Sequence, residues 1–192
     1  MKTHFQTKQL YEVCTIEKLQ GNHVGLPYVG LEDIESHTGR FKGSMVPQAV
    51  KSSSFRFSND HVLYGRLRPY LNKAMAPDFE GHCSTEIFPI RPGPELSRNY
   101  LLYWLLSSQI CDQINSTATG TRMPRANMNQ VLLFSIPIPP LVEQKRIERL
   151  LDQAYEGIDI AKANAEKKII NLEVLRKSLL ARSLDRMEGA RD

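Results

Sequence analysis

The clearest hydrophobic pattern lies in the last quarter of the chain. From Leu141 to about Met187 there is no Pro, a single Gly (Gly157) and a predominance of good helix formers. Within this stretch Ile147, Leu151, Ala154, Ile158, Ala161, Ala165, Leu172, Leu175 and Leu179 recur in alternating steps of four and three. Lys168 occupies the one seat where the pattern asks for an apolar residue. Such a heptad stripe predicts one long helix of about 70 Å, at 1.5 Å rise per residue, whose seam needs another helix. Pro139–Pro140 suits the first turn of that helix and cannot lie inside it. Upstream the pattern is mixed. Pro27–Leu31, His61–Tyr64 and Thr85–Ile90 read as short strands. Leu102, Leu106, Ile110 and Ile114, behind Ser97 as N-cap, predict one amphipathic helix from Arg98 to about Asn115. Ser116–Arg125 reads as a loop, Asn127 as the start of a short helix, and Phe134–Ile138 as extended. The expectation is an α+β protein: a mixed α/β domain over residues 1–138 and a long coiled-coil-forming α-helix over 139–192.

Composition narrows the class. The 192 residues are 41% hydrophobic and 24% charged, enough for a packed core. Cys14, Cys83 and Cys111 are widely spaced and odd in number, which argues against a disulfide framework and for a reducing compartment. The longest apolar run, Tyr100–Leu106, is far short of the roughly 20 residues of a membrane span. Met1–Leu10 lacks the hydrophobic run of a signal peptide. A cytoplasmic location without membrane partners is expected.

The tools of catalysis are not legible. Neither a phosphate-binding G-x-x-x-x-G-K-[ST] loop nor a G-x-G-x-x-G is present. The only Pro-Pro is flanked by Ile138 and Leu141, not by the residues of an Asn/Asp-Pro-Pro-aromatic methyltransferase tetrapeptide. The five histidines lack ligand spacing, and Asp78, Glu80 and His82 lack the Lys that usually completes a nuclease site. No catalytic residue, metal site or cofactor of the chain's own is expected.

Charge, by contrast, is concentrated. Arg40, Lys42, Lys51, Arg56, Arg66, Arg68 and Lys73 face a single anion, Asp60, across that interval. Ser52, Ser53 and Ser54 lie among them and can donate to phosphate or base edges. A second polar stretch, Thr117–Asn129, holds Thr121, Arg122, Arg125 and Asn127. Arg and Asn make two-point contacts to guanine and adenine in the major groove. Arg40, Lys42, Lys51, Ser52, Ser53, Ser54, Arg56, Thr121, Arg122, Arg125 and Asn127 are therefore the candidate DNA contacts, with Arg122 and Arg125 foremost. Tyr64, Gly65, Pro69 and Tyr70 are expected to shape the fold beneath them.

These residues also carry a family resemblance. The run from Gly120-Thr-Arg-Met-Pro-Arg-Ala-Asn to Ile136-Pro-Ile-Pro-Pro-Leu-Val-Glu-Gln-Lys-Arg-Ile resembles the junction between recognition domain and conserved helix in specificity subunits of type I restriction-modification systems. Leu151-Asp, Gly157-Ile-Asp, Tyr28-Val-Gly-Leu-Glu-Asp-Ile-Glu, Leu63-Tyr-Gly-Arg-Leu-Arg-Pro-Tyr-Leu-Asn-Lys and Gly81-His-Cys-Ser-Thr-Glu continue it in order. The resemblance implies a non-catalytic, sequence-specific DNA-binding subunit. Its partners would be double-stranded DNA, a modification (methyltransferase) subunit and, through the complex, a restriction subunit. S-adenosylmethionine, ATP and magnesium would belong to those partners. Full-length members carry two recognition domains and two helices in tandem, whereas this sequence has one of each, like a half subunit. A homodimer through Ile147, Leu151, Ala154, Ile158, Ala161, Leu172, Leu175 and Leu179 would rebuild the tandem. The alternative is an adaptor or antagonist that keeps the helix without DNA specificity.

Overall fold

The structure is a computed structural model that describes residues 5–21 and 23–188, with side chains as far as residue 180. The chain divides into two compact units, Met1–Glu148 and Arg149–Asp192. The first contains β1 (Gln6–Gln9), α1 (Leu10–Val13), β2 (Cys14–Ile16), β3 (Gln20–Gly21), β4 (Tyr28–Val29), β5 (Ser54–Phe57) and β6 (Val62–Gly65). There follow β7 (Ala74–Met75), β8 (Gly81–Ser84), β9 (Ile87–Pro92), α2 (Arg98–Leu106), α3 (Ser108–Ser116), α4 (Met128–Val131) and β10 (Ser135–Ile138). The long helix α5 runs Leu141–Glu188.

The strands form two four-stranded sheets, ordered β2-β9-β6-β7 and β3-β5-β8-β4, and a ribbon of β1 with β10. The central strands β6 and β9 are largely apolar because both their faces are covered: Val62, Leu63 and Tyr64 of β6 and Ile87 and Ile90 of β9 are fully buried. The tight turn from β8 into β9 places Ser84, Thr85 and Glu86 where the two sheets meet, since Ser84 pairs with Ser54 and Ile87 with Gly65. Gly65 permits this packing: a β-carbon there would lie 2.6 Å from Leu31 Cδ2 and 3.3 Å from the Lys73 carbonyl.

The predicted helix Arg98–Asn115 is two helices, broken at Ser107, whose ψ of 140° is extended. Asn72 stabilises the break. Fully buried and at φ 40°, it donates from Nδ2 to the carbonyls of Leu105 and Leu106, which α2 leaves unbonded. Ser107 adds a hydrogen bond from its hydroxyl to the Trp104 carbonyl. Ser97 stands at the N-cap of α2, but its hydroxyl makes no cap bond. Asn127 does cap α4, accepting from the backbone N–H groups of Asn129 and Gln130.

Pro139–Pro140 leads into α5 as expected, the Pro140 carbonyl accepting from Glu143 and Gln144. The first compact unit extends past the helix start because Gln144, fully buried, ties these turns down. Its Oε1 accepts from the Ser97 backbone N–H, and its Nε2 donates to the Glu95 and Pro139 carbonyls. Ile147, expected in the intermolecular seam, instead packs against the core of this unit. In the second unit Ile158, Leu172, Leu175 and Leu179 are 53–61% exposed. Ala154, Ala161 and Ala165 are exposed too, and Leu151 is half-buried. No helix among the described residues is long and apolar enough to cross a membrane.

Candidate nucleic-acid interface

The two polar stretches are joined in space. Arg68 N–H donates to the Pro124 carbonyl at 2.7 Å, Ala126 N–H to the Arg66 carbonyl at 2.9 Å, and Leu67 bridges Arg125. Residues 66–68 thus pair antiparallel with 124–126. A second bridge, Thr119 with Arg125, closes the intervening turn, where Gly120 takes φ 96°, a conformation that favours glycine. Thr121, Arg122 and Met123 are presented at its exposed tip.

A single carboxylate fastens this junction. Glu86 accepts from Arg66 Nε at 2.9 Å on one oxygen and from Arg125 Nε and Nη2 at 2.8 Å on the other. Burial pushes the Glu86 carboxyl up, but the hydrogen bonds and charges of Arg125 and Arg66 outweigh it and hold it below the usual carboxylate range. Arg125 also donates from Nη1 to the Met123 carbonyl. All three of its nitrogens therefore help to hold the loop. Its assignment as a foremost base contact does not fit this geometry, whereas Arg122 stands exposed at the tip.

The other candidates distribute unevenly. Lys51 and Ser52 are exposed and Ser53 is half-buried, just before β5. Ser54 is fully buried, its hydroxyl donating to the Gly21 carbonyl and lying 2.9 Å from His82 Nδ1. It leaves the candidate surface because Gly21 and His82 enclose its hydroxyl, although it shares a strand face with Arg56. Arg56 faces outward and pairs with Glu80 at 3.2 Å. Arg40 and Lys42 lie on the segment whose Phe41 bridges Ile34, and Lys42 is near enough to Lys73 to depress the latter's pKa, after the larger effect of burial. Asn127 is exposed, yet its Oδ1 is already taken by the α4 cap, so a two-point adenine contact would compete with that cap. Of the residues expected to lie beneath the site, Tyr64 and Pro69 are buried, but Tyr70 is 48% exposed. Lys18 is absent from the candidate contacts, and Glu86 stands in the sequence only as the last residue of Gly81-His-Cys-Ser-Thr-Glu, with no site role. Their signal lies in long-range pairing that spacing does not reveal.

The buried reactive groups have structural surroundings. Ser54 and His82 approach as a nucleophile and base would, but both are fully buried, with His82 Nε2 held 3.0 Å from the Gln48 carbonyl. Burial lowers the His82 pKa more than its backbone hydrogen bonds raise it. Burial likewise pushes the Cys14 thiol up to about 12 and raises those of Cys83 and Cys111. No cluster of three or more His, Cys, Asp or Glu able to hold a metal occurs among the described residues.

Comparison with known proteins follows this architecture. A profile of the type I restriction modification DNA specificity domain matches residues 3–171. The EcoDI specificity subunit of Escherichia coli is 28% identical over 152 residues, covering 78% of this chain and 34% of that protein. The StySPI specificity subunit of Salmonella potsdam is 26% identical over 164 residues, covering 81% and 35%. The chain thus spans about a third of the length of these curated relatives. Among solved structures, the HsdS subunit from Thermoanaerobacter tengcongensis superposes with a TM-score of 0.66 at 25% identity, covering 83% of this chain and 44% of that one. A structure describing complex assembly and conformational transition of a type I R-M system gives a TM-score of 0.66 at 20% identity, covering 90% and 44%.

Proposed function

Because the chain belongs to the type I restriction modification DNA specificity domain family, we propose that it reads a bipartite double-stranded DNA target and directs methyltransferase and restriction subunits to it. The observation that carries this reading is the convergence on Glu86. Arg66 from the first cationic stretch and Arg125 from the second are fastened to one carboxylate, which makes two distant basic segments one surface. Cations there address phosphates, and the exposed turn carrying Thr121 and Arg122 addresses base edges. In this reading the chain is non-catalytic and cytoplasmic. It needs no cofactor of its own, and S-adenosylmethionine, ATP and magnesium act in the partner subunits.

The exposed apolar residues Ile158, Leu172, Leu175 and Leu179 support pairing of α5 with the α5 of a second copy. A two-fold dimer would present each recognition surface twice.

The test is DNA binding by the full chain across a salt series, with enrichment from a random duplex library. Sequence-selective binding whose affinity falls steeply with salt is expected, because neutralising phosphates releases counterions. An adaptor or antagonist without DNA recognition would show neither behaviour.

A further inference from the structure

Beside Glu86 lies a cavity of about 330 Å³ whose lining includes Lys18, Arg66, Phe88, Arg125 and Asn129. Three cations here face the one carboxylate that binds two of them, so the cavity is positive on balance. Arg66 gives only its Nε to Glu86, and its two Nη groups make no hydrogen bond to a described residue. Lys18 is exposed, without an ion pair among the described residues. Its Nζ sits 4.4 Å from the centroid of Phe88, and Arg66 Cζ sits 5.2 Å from the same centroid.

We infer that Lys18 and Arg66, oriented on the Phe88 ring, form a cradle for one backbone phosphate of the DNA, with Glu86 as the positioning residue that locks Arg66 and hands Arg125 to the loop. This rests on the DNA-binding reading above and adds to it two contacts and a division of labour. The ring decides what the cradle takes. Phe88 is 5% exposed and its face is covered by the two cations, so no base can stack on it. A tetrahedral anion instead meets the unused Nη pair in a two-point geometry, and Lys18 supplies a second positive charge. A carboxylate fixing the Nε edge of Arg66 leaves the opposite edge of the guanidinium as the one able to reach a ligand.

A phosphate contact is sequence-independent, so a mixed-sequence 30-base-pair duplex serves as probe, with affinity of the full chain followed across a salt series. Arg66→Ala removes the two-point contact without which Lys18 alone does not hold the phosphate, so it should reduce the slope of log K against log salt by about 0.9 per bound protomer and weaken mixed-sequence and selected duplexes alike. Arg66→Lys should restore the slope while leaving affinity low. Lys18→Ala, at an exposed side chain outside the Glu86 bridge, should weaken binding without altering thermal unfolding. The double variant should lower the slope by about 0.9 once, since both cations serve one phosphate. If the wild type binds with steep salt dependence but Arg66→Ala and Lys18→Ala leave slope and affinity unchanged, the cradle is wrong and the DNA reading stands. A double variant losing twice that slope would mean two separate phosphates and would overturn the shared cradle. Inorganic phosphate at matched ionic strength separates a free anion from the diester: saturable protection of Lys18 from amine labelling by phosphate, but not by duplex, would assign the cavity to the free ion. A wild type without salt-dependent binding would overturn both readings.

Discussion

Two side chains set the local geometry of the first compact unit, and each makes a measurable prediction. Asn72 combines a left-handed backbone with two buried hydrogen bonds to the end of α2. Asn72→Ala should cost about 2 kcal/mol in urea unfolding, from buried carbonyls left unpaired (~1–3 kcal/mol), and like wild type it keeps a β-carbon in the left-handed region (~1–2 kcal/mol). Asn72→Gly should regain only the backbone part, and equal losses in both variants would refute this division. Glu86 makes a pH prediction. Its folded pKa is depressed, on balance of burial against its two arginines, so its contribution to stability is present above the ordinary carboxylate value of about 4.3 and is lost as pH falls through the folded value. Glu86→Gln should therefore be less stable than wild type near pH 7, by about 1 kcal/mol once partial exposure discounts a charged hydrogen bond. The gap should close below about pH 4 in paired denaturation curves. A gap independent of pH would show that the charge is not what stabilises the junction.

At the scale of elements, legibility followed the range of the interactions. The long helix, the short α4 behind Asn127 and the extended segment at Ser135–Ile138 were readable because propensity, capping and periodicity are local signals. The break at Ser107 was not, because what stabilises it is Asn72, a residue far away in sequence. The burial of Ser54 has the same origin: its polar company marked it as a candidate DNA contact, but Gly21 and His82, distant in sequence, enclose its hydroxyl. Basic stretches were visible as composition, whereas the roles of Arg66 and Arg125 depend on Glu86, which no spacing rule connects to them. The apolar stripe on α5 predicts self-association. Ile158→Asp and Leu172→Asp should each convert a dimer to a monomer in light scattering, because a buried unpaired carboxylate costs several kcal/mol. A dimer surviving both substitutions would refute the seam. Ile147→Asp should instead destabilise the first compact unit, against whose core Ile147 packs.

At the scale of the whole molecule, stability and recognition separate. The buried sheets fix the fold, while the Glu86 junction, the Lys18–Arg66 cradle and the exposed turn at Thr121–Met123 carry the proposed contacts with DNA. Phosphate contacts should weaken every sequence equally when removed, and a base contact should cost about 1–3 kcal/mol and relax one position in the site. Arg122→Ala is the variant expected to relax specificity, and Arg66→Ala the one expected to lower the salt slope. In the proposed function the chain reads DNA through two copies of one surface. Enrichment of a random duplex library by this chain, followed by sequencing, is the decisive measurement. The predicted result is an inverted repeat interrupted by unread base pairs, its two halves equally affected by Arg122→Ala; a library that returns no enriched sequence, or one uninterrupted asymmetric site, would contradict it.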